Sequence, residues 1–131
     1  MAKWNTPADL KYTTTDEWVR LDGSEAVIGV TDYAQDALSD IVYVELPSVG
    51  DSLKASSSFG TVESVKAASD MHMPIGGTIL AVNKALEDTP EKVNQEPFGE
   101  GWFIRIRPDS SDEMNALMDA VAYEKYCEER H

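Results

Sequence analysis

Cysteine is almost missing from this chain: Cys127 stands alone, so no internal disulfide can form. A reducing compartment is therefore compatible with it. Histidine is nearly as scarce, with only His72 and His131, and this leaves no recognisable zinc or haem ligand set. Basic residues are few, 11 Lys and Arg against 24 Asp and Glu, for a net charge of -13. Phosphate backbones and anionic lipids are bound chiefly through Lys and Arg, so nucleic acid and bare membrane are poor partners. Long hydrophobic runs are absent too. Stretches such as Ile41 to Val44 and Ile79 to Val82 fall far below the roughly 20 residues of a membrane helix, and a soluble chain is expected. Met1 to Leu10 has neither an apolar core nor an Arg-rich amphipathic pattern, so no targeting segment is expected. Enzyme signatures are missing as well: there is no Gly-rich phosphate loop ending in Lys-Ser/Thr and no G-x-S-x-G elbow. What remains is 131 residues, 42% apolar but only 8% aromatic, enough for one modest core and hence a single domain over 1–131.

The elements that are present read mainly as β. Trp18, Val19 and Leu21 lead into Asp22-Gly23, after which Ala26, Val27, Ile28 and Val30 resume, the pattern of a hairpin whose glycine takes the turn. Thr31 or Asp32 caps a short helix over Tyr33 to Leu38. Ile41 to Leu46, Phe59 to Val65, Thr78 to Val82 and Trp102 to Arg107 read as strands. A faint echo, Val49-Gly50-Asp51-Ser52-Leu53 against Ile75-Gly76-Gly77-Thr78-Ile79, is offset by 26 residues and suggests two similar units enclosing what lies between. Thr89-Pro90 predicts one helical turn over Pro90 to Val93, ended by Asn94. Ser110 and Glu113 form a capping box, and Met114, Leu117, Met118 and Val121 at i, i+3, i+4 and i+7 predict one amphipathic closing helix.

Few residues carry chemistry. Cys127 sits in Cys127-Glu128-Glu129, where carboxylates disfavour a thiolate, and reads as inert. His72, between Met71 and Met73, reads as packing or surface. Lys66 differs. The strand before it and the apolar stretch after it fold back as a hairpin with Lys66 near the tip, and Ala67, Ala68 and Ser69 leave its amine uncrowded. Such an amine suits attachment of a prosthetic arm through an amide, although an ordinary surface lysine fits the same residues.

The chain resembles the glycine cleavage system H proteins. Glu17-Trp18-Val19-Arg20, Gly29-Val30-Thr31-Asp32-Tyr33-Ala34-Gln35, Asp40-Ile41-Val42-Tyr43-Val44-Glu45-Leu46-Pro47, Phe59-Gly60, Glu63-Ser64-Val65-Lys66-Ala67, Val93-Asn94 and Gly101-Trp102 carry the likeness, which covers residues 10–128. The resemblance implies a barrel-sandwich hybrid, as in lipoyl and biotinyl domains, of two small antiparallel sheets with short helices and a C-terminal helical segment. It implies a non-catalytic carrier with lipoate on Lys66, and Glu63, Ser64, Val65 and Ala67 as the context read by a lipoyl or octanoyl ligase or transferase. It implies three partners: a pyridoxal-phosphate glycine decarboxylase that loads an aminomethyl group, a tetrahydrofolate-dependent aminomethyltransferase that takes it, and dihydrolipoamide dehydrogenase, which reoxidises the dithiol. A relay of lipoate to other proteins is the alternative role. Thr15, Glu17 and Asp70 are implied to shelter the loaded arm. A monomer is expected, in the bacterial cytoplasm or, for a processed eukaryotic chain, the mitochondrial matrix. Biotin carriers flank their lysine with Met, whereas Val65 and Ala67 flank Lys66; 2-oxo acid dehydrogenase lipoyl domains place Asp before it. Three positions depart from the H-protein pattern: Asp16 where His is common, Ser56 where Gly is usual, and Gly76 where a small hydroxyl residue is frequent.

Overall fold

The computed structural model describes residues 4–130. Alternation between apolar and polar positions, broken by turn residues, gives nine strands: β1 (Lys11–Tyr12), β2 (Glu17–Asp22), β3 (Glu25–Val30), β4 (Ile41–Glu45), β5 (Ser52–Leu53), β6 (Ser58–Ser64), β7 (Ala68–His72), β8 (Gly77–Val82) and β9 (Ile104–Pro108). They form two open antiparallel sheets, one of six strands in the order β1-β2-β3-β9-β8-β5 and one of three in the order β4-β6-β7. Two antiparallel sheets were expected; neither closes into a barrel, and one is twice the size of the other.

Strand β3 explains why the larger sheet sits at the centre. Ala26, Ile28 and Val30 join Val19, Ile79, Ile104 and Ile106 in a cluster that also holds Val44, Phe59, Val62 and Met71 of the smaller sheet and Met73 just beyond it. Each fully buried Val, Ile, Phe or Met of this cluster contributes about 1.5–3 kcal/mol. On the opposite face Val27 joins Trp18, Tyr12, Leu10, Tyr123 and Cys127 in a second cluster. A strand covered on both sides reads as a continuous apolar run. Gly29 pairs with Trp18, and a Cβ there would lie 2.8 Å from the indole, so only glycine lets the ring cross β3.

Helix α1 (Asp32–Leu38) begins as the sequence predicts, with the Thr31 hydroxyl accepting from the Ala34 amide at 3.2 Å. Elsewhere long-range partners override local pattern. Helix α2 (Ala85–Asp88) precedes the predicted turn, and Thr89 donates its hydroxyl back to the Ala85 carbonyl at 2.8 Å instead of capping forward. The turn is accordingly displaced to α3 (Lys92–Gln95), with Asn94 inside it. Trp102 and Phe103, expected within the last strand, precede β9, and Phe103 is fully buried.

The single closing helix is also corrected. Glu113 does not return to Ser110; its carboxylate accepts from the Gly76 amide at 2.8 Å. A 3-10 helix, Ser111–Ala116, ends at Leu117, and Met118 then exchanges backbone hydrogen bonds of 2.8 and 2.9 Å with Tyr12. Only then does α4 (Ala120–Arg130) begin, with the Asp119 carboxylate accepting from the Ala122 amide and Val121 exposed. Among the described residues no helix is long and apolar enough to cross a membrane.

The two echoing segments pair with each other. Ser52 of β5 lies opposite Thr78 of β8 with their hydroxyls 3.1 Å apart, and the Gly50 amide donates to the Ile79 carbonyl while the Ile79 amide donates to the Asp51 carbonyl, each at 2.8 Å. What they enclose is the β6–β7 hairpin.

Candidate functional site

Strands β6 and β7 pair from Ser58↔His72 to Glu63↔Ala68, leaving Val65, Lys66 and Ala67 at the turn. Ser64 builds that turn. Its amide donates to the Ala67 carbonyl at 2.7 Å, while its hydroxyl oxygen accepts from the amides of Lys66 (3.1 Å) and Ala67 (3.0 Å). Local hydroxyl-to-backbone bonds of this kind hold a turn without help from the core. The tip is also anchored from outside, because the Val65 amide donates to the Asp40 carbonyl at 3.0 Å. Gly60 fixes the base: a Cβ there would meet the Glu45 carbonyl oxygen at 2.3 Å. Glu63, Val65, Lys66 and Ala67 are all exposed, and the Lys66 ammonium donates to the Ala37 carbonyl at the end of α1 at 3.1 Å. The backbone is thus held while the amine remains in water. An amide-linked acyl arm fits this position, since the amine is uncrowded and its one bond is to a surface carbonyl.

The residues predicted to shelter the arm separate into two environments. Glu17 is fully buried. One carboxylate oxygen accepts from the hydroxyls of Thr13 (2.7 Å) and Thr15 (2.5 Å), and the other from the His72 amide at 3.1 Å. Burial pushes this carboxyl above the usual carboxylate range, and the bonds from Thr15, His72 and Thr13 oppose that rise. Asp70 is exposed on β7, where Thr61 donates to it at 3.4 Å. Beside Glu17 opens a pocket of about 350 Å³, with Thr15, Ser56, His72, Pro74, Leu117 and Met118 in its walls. Thr15 therefore faces the pocket, Glu17 lies behind its wall, and Asp70 sits two residues along β7 from His72.

His72 and Thr13 are members of this site that sequence reasoning left out. The run Thr13-Thr14-Thr15 ahead of Glu17 was the available signal, since hydroxyls are what an uncompensated buried carboxylate needs. Asp16 turns away from the pocket. Its carboxylate accepts from the Tyr123 hydroxyl at 2.7 Å and pairs with Arg130, whose guanidinium lies 4.1 Å from the ring centres of both Tyr33 and Tyr126. Because the Tyr123 proton goes to Asp16, the 2.6 Å contact between Tyr123 and Thr31 is a hydrogen bond donated by the threonine. Burial and then Asp16 hold the Tyr123 phenol protonated far above its ordinary range.

Fold and site together define a small two-sheet domain that displays one lysine at the tip of an anchored hairpin whose base borders a pocket. The glycine cleavage H-protein family model matches residues 10–130. The chain is 51% identical over 124 residues to the glycine cleavage system H protein of Anaeromyxobacter sp. (strain K), covering 95% of this chain and 97% of that one. It is 50% identical over 120 residues to that of Acinetobacter baylyi, covering 92% and 97%. The crystal structure of a glycine cleavage system H protein from Mycobacterium marinum superposes with a TM-score of 0.82 at 35% identity, covering 95% of this chain and 98% of that one. The chain belongs to the glycine cleavage H-protein family. Its function is the family's, that of a lipoyl carrier in glycine cleavage.

Proposed function

We propose that Lys66 is the attachment point and that the chain acts as a carrier without chemistry of its own. The observation that carries this reading is the hairpin: its backbone is fixed by Ser64 and Asp40 while the Lys66 amine stays in solvent. When attached, the lipoyl disulfide supplies a redox-active acceptor for the aminomethyl group of glycine. The chain's residues supply placement. Glu63, Val65 and Ala67 are open to a lipoyl or octanoyl ligase, and Ser64 presents them in one geometry. Decarboxylase, aminomethyltransferase and dihydrolipoamide dehydrogenase then meet the same tip in turn, and tethering keeps the carried group at high effective concentration.

The outer face of the smaller sheet suits docking. Across the strands run the rows Tyr43–Glu63–Ala68 and Glu45–Thr61–Asp70, with carboxylates in both. The shift of register between Ile41 and Tyr43 leaves Val42 and Tyr43 both exposed, adding apolar anchors. Between visits the arm lies back along β7, the four residue steps from Ala68 to His72 spanning about 13 Å, and rests in the pocket beside Thr15. The named relatives are bacterial, which supports a cytoplasmic setting.

Incubation with a lipoate ligase, followed by intact mass and peptide mapping, tests the assignment. One lipoyl mass on Lys66, and none on Lys66→Arg, is expected, because a guanidinium is not acylated. Label on Lys54 or Lys84 in its place would overturn it.

A further inference from the structure

The wall between the pocket and Glu17 is His72. Its imidazole lines the pocket, yet Nδ1 is buried, makes no hydrogen bond, and lies 3.8 Å from the same Glu17 oxygen that accepts the His72 amide. Glu17 itself is fully buried and has no cation within ion-pair distance among the described residues other than this ring. A buried carboxylate without a cation is costly, and a buried ring nitrogen without a partner is costly too. Both costs are relieved by one event, a proton on Nδ1 with a small movement of the ring toward the carboxylate.

We propose that His72 is the positioning residue through which Glu17 acts on whatever occupies the pocket, and that its protonation decides whether the pocket accepts a cation. With the ring neutral, the Glu17 charge is uncompensated and its field favours a cationic amine on the pocket side. With the ring protonated, Nδ1–H pairs with Glu17, the carboxylate is neutralised, and the wall itself bears the positive charge. Cation occupancy is therefore lost as the pH falls and the ring takes its proton. Few other groups face the ring. Tyr12 of β1 lines the pocket with its hydroxyl committed to the Pro7 carbonyl, and Glu113 of the 3-10 helix is held by the Gly76 amide. Asp70, on β7 itself, is bonded by Thr61. The ion-pair partner open to Nδ1 is Glu17.

This inference rests on the reading that the loaded arm, an aminomethyl amine, rests in the pocket, so the test has one part that needs no arm. In the unmodified chain, NMR titration of the His72 ring proton from pH 5 to 8.5, assigned against His72→Gln, is compared in wild type and Glu17→Gln. The midpoint should fall when the carboxylate is removed; an unchanged midpoint overturns the proposal. Thr15→Val, which leaves Glu17 ionisable, serves as the second variant if Glu17→Gln does not fold. By withdrawing a hydroxyl from the carboxylate it should move the midpoint by a measurable amount, and no movement overturns the proposal equally. The second part follows formaldehyde release from the loaded carrier over the same range. Wild type should lose its load at least threefold faster at low than at high pH relative to His72→Gln, and parallel profiles would refute the coupling. Ala116→Trp, which fills the pocket, separates the two readings. If it leaves release unchanged while the NMR midpoint still responds to Glu17, the resting place is wrong and the cation-accepting role falls with it, whereas the Glu17–His72 linkage stands.

Discussion

At the scale of single residues, Glu17 shows how a charge is kept in an interior. Two threonine hydroxyls and one amide satisfy its oxygens, but burial still raises its pKa above that of an exposed glutamate. Its folded-state pKa thus exceeds the unfolded value of about 4.3, so the folded chain holds this proton more tightly than the unfolded chain does. The stabilisation that follows is complete below the unfolded pKa and is lost as the pH rises through the folded one, at up to about 1.4 kcal/mol per pH unit within that window. Glu17→Gln does not titrate. Urea melts at pH 4, 5, 6 and 7 should therefore show the variant gaining on wild type as the pH rises, and a constant difference would contradict this account. The exposed turn that carries Lys66 was legible in the sequence because a hairpin tip needs a turn, small neighbours and exposure, and all three are local properties. The burial of Glu17 was not, because an acid after three threonines reads as a solvated turn until β7 is laid across it.

At the scale of elements, α4 is held by side chains more than by its own sequence. Tyr123 stacks on Tyr12 with ring centres 4.6 Å apart, and Arg130 closes the helix onto Asp16 between Tyr33 and Tyr126. Two cation–π contacts at about 0.5–1 kcal/mol each put the cost of Arg130→Ala at about 1–2 kcal/mol. Urea denaturation should give that loss, and hydrogen exchange should quicken in α4 while β6 and β7 keep their protection. Arg130→Lys should restore less than half, since an ammonium cannot stack as a plane between two rings. The hairpin of β2 and β3 was legible because Asp22-Gly23 states its turn. The closing helix was not: Met114 and Leu117 pack on one cluster and Met118 on the other, so the helical stripe is real as a pattern but serves two cores. Strand β5, of two residues, pairs only with the distant β8, and β1, also of two residues, pairs with nearby β2 but is backed by Met118 from the far end of the chain.

At the scale of the whole molecule, the net charge of -13 gains a location, since Glu45, Glu63 and Asp70 share one face with the hairpin that bears Lys66. Basic patches on partner enzymes would be steered to that face, and salt screens such steering within about 8–10 Å. The KM of the decarboxylase for this carrier should rise severalfold between 50 and 300 mM salt with kcat little changed, and Glu45→Lys should raise it already at low salt. A KM flat across that range would assign the charge to solubility alone. The pairing of β5 with β8 bears on how the chain comes to be folded. Its rungs close a loop that contains the whole β6–β7 hairpin, and closing a long loop costs entropy that only later contacts repay. The hairpin, whose partners are neighbours in sequence, can form before that closure. The element that presents Lys66 is thus among the most local in the molecule, and a nascent chain can shape the turn that carries this lysine while the larger sheet still awaits β9.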